Sequence, residues 1–532
     1  MKRHEPSGWF QSERMRLFVS PVLAGCCIFL AFERTNLFFL LLLLPFFLTG
    51  MRQLSLKKKL LAYWMMAITT NLGGFGWIRL VAVDYGGLPQ VAALGVVLLF
   101  ALFNNLNFVL WAYLERFFGE RCNPFVVAGL FCVSEQINPQ VFPWYLGTAL
   151  DSVLVLYQTA DLWGVIGSSF VAMTLIHLPW WLWQKRKTVL RQERALLAGL
   201  STFVIFVVWY GVWSLNKYDN LPDPGEKSVG ISLIQSNTTM EKFYGASLTS
   251  EERMKEFHDI LHLSETAIAR HPDGTELVVW PEGAVHFPIL NYSDIFNPIS
   301  ELAKKHQVSI SAGSVEIGGR KPSGRREYFN TQFVLSKEGK IISKYHKIVL
   351  LAFGEYIPLL DTFPFLEQWL PETISHFTRG TEKPIVELRP DLHWLPLICY
   401  EDIIFGFIDG FDHRRADFIV NITNDGWFGK SDASYLHMQM ARPRTVEYRK
   451  PIVRALNTGS SQIIDAAGRT ISKETALYRR EYINATLHLP QTPPVTVYSV
   501  VGNWPIYALL VLVAVLWGAK LRRKTADGKR QT

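Results

Sequence analysis

Eight apolar runs constrain this chain more than any other feature. They lie at about 17–32, 36–49, 60–80, 90–113, 124–137, 159–183, 195–213 and 500–519. Several approach the roughly 20 residues that an α-helix needs to cross a bilayer. Seven fall within the first 213 residues with almost no polar sequence between them, so they cannot all be core helices of a soluble domain. Hydrophobic residues make up 49% of the 532 and charged residues 19%, which is too apolar for an ordinary soluble enzyme.

The basic residues are phased with these runs. Lys2, Arg3, Arg14 and Arg16 precede the first, and Arg52 and Lys57–Lys59 lie between the second and third. Arg116 and Arg121 follow the fourth, Lys185–Lys187, Arg191 and Arg194 separate the sixth and seventh, and Lys520 and Arg522–Lys524 follow the eighth. Every second loop is basic, which is the positive-inside pattern. It predicts cytoplasmic termini and places about 214–499 outside. The net charge of +8 is thereby assigned to topology, and a nucleic-acid partner is not expected. No small-residue cleavage site follows the first run, so an uncleaved first span is expected. The expected organisation is a membrane domain at 1–213, a catalytic domain at 228–490 and a last span at 500–519.

The external region alternates strand-like and helix-like patterns. VGISLIQSN (229–237), ELVVWPEG (276–283), VSISAGSVEI (308–317), HWLPLICYE (393–401) and DFIVNITND (417–425) read as buried strands. YFNTQFVLS and IISKYHK flank KEGK as a hairpin, and PIVRALNT and SQIIDA close the series. Residues 250–271 follow a helix start with Glu251 and Glu252 in the first turn, and 433–449 read as one further helix. Apolar strands separated by helices predict an α/β domain with covered sheets.

Of five cysteines, Cys26, Cys27, Cys122 and Cys132 lie in or beside apolar runs, and Cys399 alone lies in the external region. A lone external thiol is an inert core residue or a nucleophile. Three residues share a layout: Glu282 ends VVWPE, Lys347 ends IISKYHK and Cys399 ends LPLIC. Sites in α/β sheets gather at the carboxyl ends of strands, so an acid, an amine and a thiol could meet there. The chemistry is coherent, because a thiol needs a base to become the attacking thiolate and an ammonium can face an oxyanion. Singly, each is more often a turn, solvated or core residue.

The flanking sequences add a resemblance. WPEGA (280–284), YHKIVLLAFGEYIP (345–358) and LICYED (397–402) resemble the glutamate, lysine and nucleophile motifs of the nitrilase, or carbon–nitrogen hydrolase, superfamily. The surrounding spans are similar to its membrane-anchored branch, the apolipoprotein N-acyltransferases. So are IQSN (234–237), YFNT (328–331), TNDGWFG (423–429), residues 437–459, and FPW (142–144) before Gly147, with Gln158 and Gly164 beyond. The resemblance implies an αββα-sandwich external domain set into about eight transmembrane helices of the bacterial inner membrane, with that domain in the periplasm. It implies a ping-pong reaction in which a phospholipid, typically phosphatidylethanolamine, donates an acyl chain to the α-amine of a diacylglyceryl-cysteine lipoprotein. Cys399 would be nucleophile, Glu282 base and Lys347 oxyanion stabiliser, with Glu355, Tyr400, Glu401 and Asn330 in support. A monomer is expected. Gly283, Leu351-Ala352, Gly426, Phe243 and Glu135-Gln136 depart from the family pattern.

The apolar stretch 348–370 beside the lysine reads as a buried hairpin in part and as a bilayer-dipping loop in the rest. HExxH, CxxC, P-loop and GxSxG patterns are absent, so neither metal nor cofactor is expected. Two rivals remain. A membrane-tethered amidase would pass the same thioester to water. A transporter would line a path with intramembrane charges, for which Glu135 and Arg79 are the candidates.

Overall fold

The computed structural model describes residues 12–32, 37–84, 86–118, 122–218, 227–238, 249–271, 273–320, 326–352, 354–356, 377–511 and 515. The chain divides into two compact units. One comprises Met1–Arg79, Val91–Lys217 and Thr496–Thr532, and the other Leu80–Gln90 and Tyr218–Val495.

The first unit is helical. Gln90–Glu115, Ala160–Lys185 and Arg194–Lys217 are each long and apolar enough to cross a membrane. Leu56–Gly74 is a further apolar helix, and it breaks before Ile78. The break falls in a glycine-rich stretch, Gly73-Gly74-Phe75-Gly76, where the helix loses side-chain support. Shorter apolar helices occupy Met15–Leu30, Phe38–Arg52 and Pro124–Ile137. Of the eighth run, the helix Val497–Val501 is described, whereas 512–514 and 516–519 lie outside the described residues.

The surface of this unit reverses that of a soluble bundle, because Val91, Phe103, Ile205 and Trp209 are all exposed. Several of its buried polar groups pair with one another. Asn71 Oδ1 accepts from Asn104 Nδ2 at 3.1 Å and from Asn105 Nδ2 at 2.7 Å. Glu115 accepts from Arg52 Nε at 3.2 Å and Lys59 Nζ at 2.9 Å, so Lys59 is paired rather than solvated. Glu135 is buried, and its Oε1 accepts the Leu146 N–H at 2.8 Å. It therefore anchors the FPWYLG segment.

The second unit holds two mixed sheets. The first has the order β11-β1-β2-β3-β4-β5. Its strands are β1 Lys227–Gln235, β2 Leu277–Val279, β3 Ser309–Arg320, β4 Arg326–Leu335, β5 Ile341–His346 and β11 Glu481–Leu489. The second has the order β10-β9-β8-β7-β6, with β6 Val386–Arg389, β7 Leu392–Ile398, β8 Phe418–Thr423, β9 Ile452–Leu456 and β10 Gln462–Ile464. β8 and β9 are buried throughout, which explains their unbroken apolar sequence. The sheets face each other: Ser461 Oγ donates to Gln235 Oε1 at 2.9 Å, and Tyr345 OH donates to Glu401 Oε2 at 2.8 Å. Helices Ser250–Ala269 and Ser293–His306 cover the first sheet, packing Phe257, Ile260, Ile299 and Leu302 against Val278, Ile310 and Phe333. Thr249 starts the former helix by accepting the Glu252 N–H at 3.2 Å. Helices Ala433–Ala441 and Pro443–Tyr448 lie against the second sheet, with Met438 sulfur meeting Arg454 of β9 at 3.8 Å.

The one helix expected over 433–449 is thus two, because Pro443 has no N–H to continue the ladder. The expected strand 276–283 is a regular strand over Leu277–Val279, with Glu276 and Trp280 still hydrogen-bonded to its neighbours, and Pro281 ends it. Helix Ser293–His306 and strands β6 and β11 were not expected from sequence.

Candidate active site

Strand direction gathers the three chemically distinctive residues at one end. β2 and β3 are parallel, β4 runs against β3, and β5 runs against β4. β5 therefore points as β2 does, and Lys347 leaves it at the end where Glu282 follows β2. In the facing sheet, Cys399 follows β7, which is parallel to β8.

Glu282 sits in a tight segment. Gly283 has φ +61°, and the Asn457 side-chain amide donates to the Glu282 carbonyl. Lys347 is fixed through its backbone, its N–H donating to Asn330 O at 2.8 Å and its carbonyl accepting from Gly380 N at 2.8 Å. Its ammonium donates to Glu282 Oε1 at 3.2 Å and to Glu355 Oε1 at 2.9 Å. Asn330 Nδ2 bridges the same two carboxylates at 2.6 and 2.9 Å. Glu355 Oε2 accepts the Leu351 N–H at 2.8 Å, which anchors Glu355 to the segment that follows the lysine. All four side chains are buried.

Electrostatics follow from that burial. Desolvation and the neighbouring Glu355 hold the Glu282 carboxyl above the usual carboxylate range, against the pull of Lys347. Burial alone would discharge Lys347, yet Cys399, Glu282 and Glu355 together raise it well above the ordinary lysine value. Burial pushes the Cys399 thiol well up, Glu282 adds to this, and Lys347 opposes it. The resting site is thus a protonated thiol beside a basic carboxylate and a permanent cation. Glu282 Oε2 has no hydrogen-bond partner among the described residues. Glu282, Asn330 and Glu355 line a small pocket walled by Phe377 and Trp427. Cys399 itself does not line it. Among the described residues, no group of three or more His, Cys, Asp or Glu is placed to hold a metal ion.

Residues 231–493 match the family model described as carbon-nitrogen hydrolase, and residues 24–178 match that of the apolipoprotein N-acyltransferase N-terminal domain. The apolipoprotein N-acyltransferase of Bdellovibrio bacteriovorus is 30% identical over 510 residues, covering 88% of each chain. This chain belongs to the apolipoprotein N-acyltransferase family. The family's protein in Bradyrhizobium diazoefficiens is 32% identical over 452 residues, covering 82% of this chain and 80% of that one. Among solved structures, a carbon-nitrogen hydrolase from Helicobacter pylori G27 is similar at 18% identity and a TM-score of 0.36, covering 49% of this chain and 88% of that one.

The remaining residues singled out from the sequence take two kinds of place in this member of the apolipoprotein N-acyltransferase family. Glu401 is fully buried and knits the site together. Its Oε1 accepts Ile348 N at 2.7 Å and Val349 N at 3.0 Å, and its Oε2 accepts Ile398 N at 2.9 Å and Tyr345 OH. Burial lifts its carboxyl to about 7 despite these donors. Tyr400 is half-buried, and desolvation raises its hydroxyl above the ordinary tyrosine value. Of the apolar stretch 348–370, residues 353 and 357–370 lie outside the described residues, as does Phe243. The described part, 348–352 and 354–356, is buried or half-buried throughout.

Sequence reasoning missed what lies beneath the thiol. Cys399 has φ +54°, a left-handed conformation that a non-glycine residue seldom adopts. The Asn421 side chain holds it at two points, Oδ1 accepting Cys399 N–H at 3.0 Å and Nδ2 donating to Cys399 O at 3.1 Å. Asp402, Asp425, His437 and Arg454 are buried next to this clamp. The signal in the sequence was Asn421, His437 and Arg454, each standing inside an otherwise apolar segment.

Proposed function

We propose that this chain transfers a fatty acyl group from a membrane phospholipid, phosphatidylethanolamine above all, through a thioester on Cys399 to the N-terminal amine of a diacylglyceryl-cysteine lipoprotein. The observation that carries the reading is the buried set of Cys399, Glu282 and Lys347 at the end of two facing sheets. Glu282 Oε2 takes the thiol proton as sulfur attacks the ester carbonyl carbon. The tetrahedral oxyanion faces the Lys347 ammonium. The ester C–O bond breaks, and Glu282 returns the proton to the leaving oxygen of the lysophospholipid. The lipoprotein amine then attacks the thioester carbonyl and loses a proton to Glu282. The C–S bond breaks, the proton passes to sulfur, and an amide remains. Glu355 and Asn330 orient Lys347 and Glu282, and Glu401 holds the backbone that follows Lys347 and that precedes Cys399.

The relatives at 30% and 32% identity are named for N-acyl transfer to apolipoproteins, and the match at 24–178 to their N-terminal domain favours that activity over a tethered amidase. The phase of the basic loops supports a multi-pass protein of the bacterial inner membrane. It has about eight spans, cytoplasmic termini and a periplasmic catalytic domain at 228–490, and acts as a monomer.

Purified protein given phospholipid without acceptor should accumulate an acyl adduct on Cys399, cleaved by neutral hydroxylamine and absent in Cys399→Ala. The adduct should discharge on adding a diacylated peptide with a free N-terminal amine and persist when that amine is acetylated. Steady release of free fatty acid without an adduct would favour the amidase.

A further inference from the structure

The clamp on Cys399 is the near end of a longer buried chain. Asn421 Nδ2 also donates to Asp402 Oδ2, and Thr423 Oγ1 donates to Asn421 Oδ1 at 2.7 Å. Asp402 Oδ2 accepts Arg454 Nε at 2.8 Å, and its Oδ1 lies 3.1 Å from His437 Nε2. The other ring nitrogen, Nδ1, lies 2.8 Å from Asp425 Oδ1, and Asp425 Oδ2 accepts Ser434 Oγ at 2.6 Å. His437 is 3% exposed, and Asp402 and Arg454 are fully buried.

A neutral imidazole carries one N–H, so one of its nitrogens would turn a lone pair toward a buried carboxylate. Only the doubly protonated ring satisfies both contacts. The two aspartates, Arg454 and an imidazolium sum to zero charge, whereas a neutral ring would leave one uncompensated anion beneath the thiol. Nothing in the triad chemistry uses this cluster.

We propose that His437, held as an imidazolium between Asp402 and Asp425, is a positioning residue for acyl transfer: through Asp402 and Asn421 it keeps the Cys399 backbone in its left-handed form, and its charge cancels a carboxylate that would oppose the thiolate. The inference rests on the reading of Cys399 as nucleophile. The groups acting on that thiol include Glu282, Lys347, Asp425 and Glu355, with Tyr400 and Arg454 beside them, and Asp425 is among those that disfavour its ionisation. His437 is drawn down by burial and by Arg454, yet Asp425 and Asp402 raise it above the ordinary histidine value. The charge balance thus agrees with the hydrogen-bond geometry.

His437→Gln and Asp425→Asn alter the same buried pair and change the charge in opposite directions. The test is the iodoacetamide reaction of Cys399 in the full-length protein, read by mass spectrometry of its peptide alongside thermal stability. Alkylation follows the thiolate, so at about pH 8 His437→Gln should react about tenfold more slowly, its profile displaced upward by about one pH unit. Asp425→Asn should react at least as fast as the parent. Either variant is decisive by itself if the other fails to fold. A merely structural role would lower stability in both and shift both rates alike. An unmoved rate in His437→Gln, or a slower one in Asp425→Asn, overturns the proposal alone. Full acyl transfer in Cys399→Ala overturns it together with the reading beneath it.

Discussion

Gly313→Ala is a demanding test of the site geometry, because it adds one methyl group at a position that performs no chemistry. β2 and β3 pair in parallel with Val279 opposite Ser311, so two residues further on Gly313 lies against the Pro281–Glu282 backbone. A Cβ at Gly313 would sit 2.5 Å from Pro281 O, 2.7 Å from Glu282 Cα and 2.8 Å from Gly283 N. Ordinary contacts begin at 3.4 Å, so the two backbones must part by ~0.6–0.9 Å. All three obstacles are main chain, and no side chain can swing aside. Overpacking of this kind costs about 1–3 kcal/mol. A misplacement of about 1 Å costs about 10²-fold in rate, so acyl-enzyme formation should fall by roughly 10- to 100-fold. Gly319 of the same strand has only Glu327 Oε2 within reach, at 3.9 Å. Gly319→Ala should therefore stay within about 0.5 kcal/mol of the parent. Single-turnover acylation and thermal unfolding of both variants make the measurement. A Gly313→Ala protein that acylates at the parental rate would refute the placement of Glu282 against β3.

Three further outcomes are expected. Lys347→Met leaves Glu282 and Glu355 sharing Asn330, so acylation should fall about 10²–10³-fold and stability by about 3–5 kcal/mol near neutral pH. Glu282 is already held above its unfolded value, and losing the cation raises it further, so that deficit should grow as pH rises and shrink in acid. A deficit that instead grew in acid would contradict the assignment. Glu401, raised from its usual 4.5 to about 7, contributes stability that is complete below 4.5 and lost as pH rises through 7, an effect of roughly 3 kcal/mol. Glu401→Gln should therefore flatten the pH dependence of unfolding in that window while lowering stability overall, since its amide would face two donors. Finally, reporter fusions after Trp183 and after Lys520 should read as cytoplasmic and one after Asn216 as periplasmic; a cytoplasmic signal at Asn216 would overturn the topology.

The elements most legible in sequence were those whose physics is local. β1, β3, β8 and β9 are buried along much or all of their length, so their apolar runs announced them. The β4–β5 hairpin was marked by KEGK, whose Gly339 has φ +71°. Ser293–His306 was missed although Ile295, Ile299, Leu302 and Ala303 are buried at helical spacing, because Pro298 and Asn297 obscured the period. β11 was missed although Ile483, Ala485, Leu487 and Leu489 alternate with Asn484, Thr486 and His488 at the period of two of a half-buried edge strand. The break at Pro443 was legible and was passed over.

The site divides along the same line, for a reason that bears on how such sites are found. Glu282, Lys347 and Cys399 were visible because each follows a strand, and a strand end is a place sequence can mark. Asn421, Asp402, His437 and Arg454 lie inside strands, a 3₁₀ turn and a helix, where a polar residue reads only as an interruption. Each is tolerable only because a partner distant in sequence neutralises it: Arg454 reaches Asp402 across 52 residues and His437 reaches it across 35. A buried charge without its partner is unstable by several kcal/mol, so an isolated Asp, His or Arg in an apolar segment implies that compensating groups exist somewhere. The sequence carried that implication at Asp402, His437 and Arg454 but not the pairing, which depends on how β7, β8 and β9 align. The residues proposed to act on substrate, and Glu355, Asn330 and Glu401 beside them, could thus be named before the fold was known, and the cluster beneath Cys399 only after it.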